Sequence, residues 1–343
     1  MNSSPPDFRK RCLEAALDLL WRQWCSLGVA GHAREADPRH VIDPEALLLA
    51  TSSIGRHDPR LFDESLDWLS RHASMLHLQR LKTLQADTGL GDPVVLAAIA
   101  DWLVEEGGQP KWKAFAQKGA VHRDPVSLFG ASSSSSLDPV FEKHGLHRPP
   151  VQVRGMSRPP NPTLPPNLLL ALRALIGVGA RAEVILCLAT GPAAHPSEIA
   201  RLTGFKARTM QVLLQEMALS GHVLTQESTR RPAGKTGRGN ARRYHIKPDD
   251  WQFLTPGKPL PKWIAWPPLW SLVQTLLECL PEAGQPGKHP AVISSKLRDR
   301  LVADGHALAA AGLLPLLDLR SGAPGEELLE SLAATVPDLL DSL

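Results

Sequence analysis

Only one part of this chain alternates apolar and polar residues with a period of two. It comprises His222-Val223-Leu224-Thr225-Gln226-Glu227 and, beyond a polar connection, Ala241-Arg242-Arg243-Tyr244-His245-Ile246. Side chains two apart share a face of a strand, so the two runs read as the arms of a hairpin. Almost everywhere else apolar residues recur at three and four, the helical period. The expected fold is therefore mainly α, with β structure confined to one small hairpin.

The helical pattern starts at once. Phe8, Cys12, Ala15, Ala16, Leu19, Leu20, Trp24 and Leu27 line one stripe. Asp43-Pro44-Glu45 and Asp58-Pro59-Arg60 each place a capping carboxylate before a proline suited to a first helical turn. The second pair precedes Leu61 to Leu69, and further helices are expected over Leu76 to Leu84 and Pro93 to Glu106. Residues 1–115 thus read as an N-terminal helical domain with Trp21, Trp24, Trp68 and Trp102 in its core.

Between Lys118 and Pro166 nine prolines and the Ser132 to Ser136 run replace that pattern. Such a composition buries little surface, so residues 116–166 are expected to be an extended linker, with one short element around Val140 to Lys143. Residues 167–255 form a middle module. Residues 256–343 read as a C-terminal helical region, with helices over Trp263 to Leu280, Lys296 to Ala311 and Glu326 to Leu343. No internal repeat of fixed period is present.

Composition excludes several classes. With 343 residues, 43% of them hydrophobic and 21% charged, the chain carries too much apolar surface to be disordered throughout. Its most apolar stretch, Asn167 to Ala189, is broken by Arg173, Arg181 and Glu183, and no uncharged run is long enough to cross a bilayer. No membrane partner is expected. Met1 to Cys12 lacks the apolar core of a cleavable signal, so the expected location is cytoplasmic. The four cysteines lie far apart and suggest neither a disulfide framework nor a zinc ribbon, and no metal or cofactor is expected.

The net charge of +3 conceals an asymmetry. Lys plus Arg against Asp plus Glu is 19 to 19 over residues 1–165, 12 to 6 over 166–254 and 7 to 10 over 255–343. The excess cation lies in the middle module, as expected of a segment that meets a polyanion.

Within that module, Leu168, Leu169, Leu172, Leu175 and Ile176 make a helical stripe that stops at Gly177-Val178-Gly179. A second helix, Arg181 to Thr190, would bury Val184, Ile185 and Leu188. His195-Pro196-Ser197-Glu198 opens a short helix through Leu202, and Thr203-Gly204-Phe205 makes a tight turn. Lys206 to Gly221 follows as a longer helix with Met210, Leu213, Leu214 and Met217 inward and Lys206, Arg208, Gln211 and Gln215 outward. Guanidinium and amide groups on an exposed helix face suit base edges in a major groove. The hairpin adds Arg230, Arg231, Lys235, Arg238, Arg242 and Arg243 without a carboxylate between them. Repulsion disfavours that cluster unless phosphates offset it.

The order helix, helix, turn, helix, basic hairpin resembles the winged helix-turn-helix of bacterial transcription regulators related to arsenical-resistance and multiple-antibiotic-resistance repressors. The matching stretches are Ala171 to Gly177, Pro196 to Ala200, Met210 to Val223 and Arg242 to Ile246, within about residues 168–250. The resemblance implies that Lys206, Arg208, Thr209 and Gln211 face the major groove, with Gln215 beside them. It also implies that Arg230, Arg231, Lys235, Arg238, Arg242 and Arg243 form the wing. It implies double-stranded DNA as a partner and a homodimer on symmetric half-sites. Cys187 stands alone, so no metal-sensing pair is implied.

Other constellations carry less. Gly234-Lys235-Thr236 lacks the first glycine of a phosphate-binding loop, since Thr229 occupies that place. The histidines lack metal-ligand spacing. The acids of Asp58 to Asp67 alternate with arginines, as on a solvated helix face. Trp251, Trp263, Trp266 and Trp270 pack the third region or line an interface, or else form an aromatic cage. The expected function is DNA-binding transcriptional regulation, without catalysis. The alternative is a protein-interaction or scaffold subunit of a bacterial defence or chromosome-maintenance system, docking through the winged helix, with further protein partners on the N- or C-terminal helical regions.

Overall fold

A computed structural model describes residues 5–31, 35–116, 124–129, 136–227, 242–280, 290–310 and 325–343. The described residues are mainly helical, and they divide into two compact units.

The first unit comprises residues 1–37, 43–161 and 265–343. Its helices are α1 (Pro5–Ser26), α2 (Pro44–Ser53), α3 (Pro59–His72), α4 (Leu78–Thr88), α5 (Pro93–Glu105), α6 (Lys113–Ala116) and α7 (Pro139–Glu142), followed by α12 (Trp266–Cys279), α13 (Pro290–Ala310) and α14 (Gly325–Ser342). Both expected Asp-Pro caps form: Asp43 accepts from the Ala46 N–H, and Asp58 from those of Arg60 and Leu61. Asp92-Pro93 and Asp138-Pro139 start α5 and α7 in the same way. Proline at the first helical position has no N–H to lose, while the aspartate satisfies donors the helix leaves open. The four expected tryptophans are buried, and Trp24 meets Trp68 edge-on at 5.5 Å. Their indole N–H groups donate to Thr51 Oγ1 and the Leu27 carbonyl, so neither polar end is stranded.

Two expectations about domains are corrected here. Residues 256–343 are not a region of their own. From Ala265 onward they complete the first unit, α12 packing on α1, α2 and α4, and α14 on α1. Ser271 Oγ donates to the Thr88 carbonyl, the Gly91 N–H to Gln274 Oε1, and Arg22 Nη2 to the Leu340 carbonyl, each at 2.9 Å. The reason lies in α2, whose residues Pro44 to Ser52 are all buried. A helix covered on every side needs more neighbours than residues 1–115 supply.

Nor is 116–166 a free linker. Short strands β1 (Val126–Ser127) and β2 (Leu146–His147) pair in parallel. Arg148 pairs with Asp63 at 2.7 Å and lies 5.0–5.9 Å from the rings of Phe62, Phe129 and Phe141. Further along, Asp67 accepts from the N–H groups of Gly155 and Ser157 and from Ser157 Oγ. The proline-rich segment has no core of its own; side chains of α3 hold its backbone, Arg148 and Arg154, while Glu105 and Asp101 of α5 meet Lys143 and His144.

The second unit comprises residues 38–42 and 162–264, extending the expected module at both ends and adding a distant segment. Its helices are α8 (Leu168–Ile176), α9 (Ala180–Thr190), α10 (Pro196–Thr203) and α11 (Ala207–Ala218). Strands β3 (Leu224–Glu227) and β4 (Arg242–His245) pair antiparallel, from Leu224 opposite His245 to Glu227 opposite Arg242. Ala194 bridges to Tyr244, adding a one-residue third strand before α10. One core cluster gathers Val184, Leu188, Ile199, Met210, Leu214, Val223, Tyr244 and Ile246 from α9, α10, α11 and the hairpin. A second gathers Leu168, Leu169 and Leu172 of α8 with Ala182, Ile185 and Leu186 of α9 and with Val41, whose N–H donates to the Lys262 carbonyl at 2.9 Å. Between α8 and α9 the wholly buried Arg173 and Glu183 form an ion pair, Nε lying 3.1 Å from Oε1.

The four tryptophans expected to cluster after the hairpin are divided between the units. Trp266 and Trp270 are buried in the first, whereas Trp251 and Trp263 pack against the cores of the second.

Candidate nucleic-acid interface

The junction of α10 and α11 positions the candidate surface. His195 caps α10 with its ring accepting from the Ser197 N–H, and Glu198 reaches back to the His195 N–H at 2.9 Å, a reciprocal capping box. At the other end Gly204 takes a left-handed conformation (φ 75°) and donates to the Ala200 carbonyl. Only glycine adopts that conformation without a Cβ penalty, so the chain reverses there in three residues, Gly204 to Lys206. Phe205, within the turn, packs against the core.

Helix α11 then divides cleanly. Met210, Leu213 and Leu214 are buried, while Lys206, Arg208, Thr209, Gln211 and Gln215 are all exposed. Arg208, Gln211 and Gln215 follow at three and four residues and so share one face. Arg208 Nη1 donates to Gln211 Oε1 at 3.2 Å, which holds the two side chains together. Thr209 lies on the flank shared with Val212 and Glu216, and Lys206 is the residue at the N-terminus of the helix. Among the described residues, Lys206, Arg208 and Arg242 have no ion-pair partner. The only acid exposed on α11, Glu216, is paired with Arg181 at 2.9 Å.

The hairpin is more varied than its composition implies. Arg242 is exposed, whereas Arg243 is half-buried and turned back toward α10. Its guanidinium donates to Glu198 Oε1 and Oε2 at 3.1 and 2.7 Å and to the Ala193 carbonyl at 2.9 and 2.6 Å. It therefore clasps the capping box to the sheet, and its charge is matched where it stands. Burial alone would push the Glu198 carboxyl up, but the His195 N–H and the Arg243 guanidinium outweigh burial and bring it below its ordinary range. Arg230, Arg231, Lys235 and Arg238 lie outside the described residues.

The clasp had one legible sign in the sequence, the capping-box glutamate. Its partner stands 45 residues away, and no periodicity links them. The Ala194 bridge is too short to show a period of two. Elsewhere, among the described residues, no group of three or more His, Cys, Asp or Glu side chains could hold a metal ion, and no helix is long and apolar enough to cross a membrane. The four cysteines form no disulfide. Compared with protein-family models, curated proteins and solved structures, the chain has no match in any of the three.

Proposed function

We propose that the second unit is a winged helix-turn-helix module that binds double-stranded DNA, with α11 in the major groove and the β3–β4 hairpin as its wing, and that the chain acts as a transcriptional regulator without catalytic activity. The observation that carries the reading is the division of α11: an apolar face sealed into the core, and an opposite face of cations, amides and a hydroxyl among which no carboxylate is left unpaired. Arginine matches the two acceptors of guanine and glutamine those of adenine, so Arg208, Gln211 and Gln215 are assigned to base edges. Lys206 and Thr209 flank them. Arg242, with Arg230, Arg231, Lys235 and Arg238 of the connecting segment, is assigned to phosphates. The excess of 12 cations over 6 acids in residues 166–254 supports the same assignment.

Selection of bound duplexes from a random pool tests the reading. A specific binder enriches one sequence and prefers it to random duplex by about a hundredfold or more. The Arg208→Ala variant then relaxes the preference at one base position by about 1–3 kcal/mol. A pool that emerges unenriched, with binding unaltered in that variant, favours the protein-docking alternative. That alternative draws its support from Val212 on α11 and Leu219 just past its end, which are 40% and 89% exposed.

A further inference from the structure

We propose that a second copy of this chain docks on the face formed by the Gly177–Gly179 turn and the adjoining flank of α11, and that this self-association competes with DNA.

Exposed apolar side chains concentrate at this place. Leu175 and Ile176 at the end of α8, Val178 in the turn and Val212 on α11 are 69%, 40%, 39% and 40% exposed. Scattered apolar residues need no explanation, but a grouped set marks an interaction surface. The surface is also shaped. A cleft of about 640 Å³ runs between the turn and α11, lined by Ile176, Val178 and Val212 among others. Added Cβ atoms on Gly177 and Gly179 would meet nothing within 4 Å, so the turn stands clear on both sides of Val178. Leu175, a projecting side chain, is the sequence neighbour of Ile176 in the wall of the cleft.

Charge selects the occupant. Arg181 and Glu216 also line the cleft, joined at 2.9 Å, with 58% and 55% of their side chains exposed. A surface that carries both signs is complementary to itself, because a twofold axis can bring each copy's Arg181 to the other's Glu216. A surface of one sign would repel its own copy.

The competition rests on the DNA reading; the docking does not. Arg208 and Thr209 line the same cleft, so a copy seated there covers two of the five residues assigned to the groove. Such a pairing differs from a dimer that spans two half-sites, because it forms off DNA and dissolves on it.

Sedimentation equilibrium of the full chain between about 1 and 100 µM, a range in which modest interfaces associate, provides the test. The wild-type chain is expected to interconvert reversibly between monomer and dimer. Val178→Asp, at an exposed position flanked by open space, should raise the dissociation constant about tenfold or more while leaving the circular dichroism unchanged. Arg181→Glu leaves two acids at the cleft beside Arg208, and Glu216→Arg leaves three cations there. Each variant alone should be monomeric, and a one-to-one mixture should dimerise. Only an interaction between copies gives that result. A wild-type chain that stays monomeric, a Val178→Asp variant that dimerises normally, or a mixture that remains monomeric overturns the docking. Adding duplex selected from the random pool should dissociate the wild-type dimer. If duplex binds Val178→Asp but leaves the wild-type dimer intact, the competition is wrong. If duplex binds neither protein, the DNA reading has failed and the docking stands.

Discussion

Replacing Arg243 by alanine separates a structural cation from a DNA-contacting one. The side chain is 34% exposed and Glu198 37%, so the pair lies between a surface bridge and a buried one. Surface bridges contribute up to about 1 kcal/mol, and buried hydrogen bonds to charged groups about 1.5–3 kcal/mol. With bonds to both Glu198 oxygens and to the Ala193 carbonyl, discounted for solvent screening, Arg243→Ala is expected to cost about 1–2 kcal/mol. The loss carries a pH signature. Because the Glu198 carboxyl is held below the ordinary glutamate value of 4.5, it contributes stability at pH values above 4.5, and that contribution fades as pH falls through its lowered value. The gap between wild type and Arg243→Ala should therefore be full at pH 7 and narrower at a pH below that lowered value, the bonds to the Ala193 carbonyl keeping part of it. Urea denaturation followed by circular dichroism at both pH values measures it. In DNA binding the order reverses. Arg243 is already matched by Glu198, so its removal should leave the salt slope nearly unchanged, whereas Arg242→Ala should flatten the slope by about one. Equal flattening by both variants, with no loss of stability from Arg243→Ala, would show that Arg243 faces phosphate and that the clasp is wrong.

Three further outcomes are expected. Arg173 and Glu183 are wholly buried, so Arg173→Met or Glu183→Gln alone should cost about 3–5 kcal/mol by stranding the other partner, and the Arg173→Met/Glu183→Leu double variant should recover most of it; a double variant as unstable as the singles in urea denaturation contradicts the pairing. Asp67→Asn loses the carboxylate that holds the backbone around Ser157, so native-state trypsin cleavage after Arg154 should accelerate several-fold, and an unchanged rate counts against that anchor. Burial pushes the Cys12 thiol up to about 12, with Arg9 opposing only in part, so at pH 8 iodoacetamide should leave Cys12 unmodified until the protein unfolds.

What the sequence disclosed was whatever local chemistry decides. Asp43-Pro44 and Asp58-Pro59 start helices because cap and first turn are neighbours in the chain. The two faces of α11 were legible because burial repeats every three or four residues along it, and Gly204 because a left-handed turn selects glycine. What stayed hidden was partnership over distance. Val41 enters the core of the second unit from 127 residues before Leu168, yet its surroundings in the sequence hold no sign of it. The wrapping of α12 and α14 around the N-terminal helices was equally silent, since an apolar stripe specifies that a face is covered but not by what. Composition misled twice. Proline-rich residues 136–161 are held by the side chains of α3 and α5 rather than by a core of their own, and Arg243, counted with the wing cations, turns inward to Glu198.

The salt dependence of duplex binding bears on the proposed function with the fewest intermediate steps. Contacts from Arg242 and the cations of the connecting segment to four to six phosphates should make log K fall with log salt at a slope of roughly −4 to −5, measured by fluorescence anisotropy on the selected duplex. A slope near zero, or affinity that remains when Lys206, Arg208 and Arg242 are all replaced by alanine, would remove double-stranded DNA as the partner of this surface.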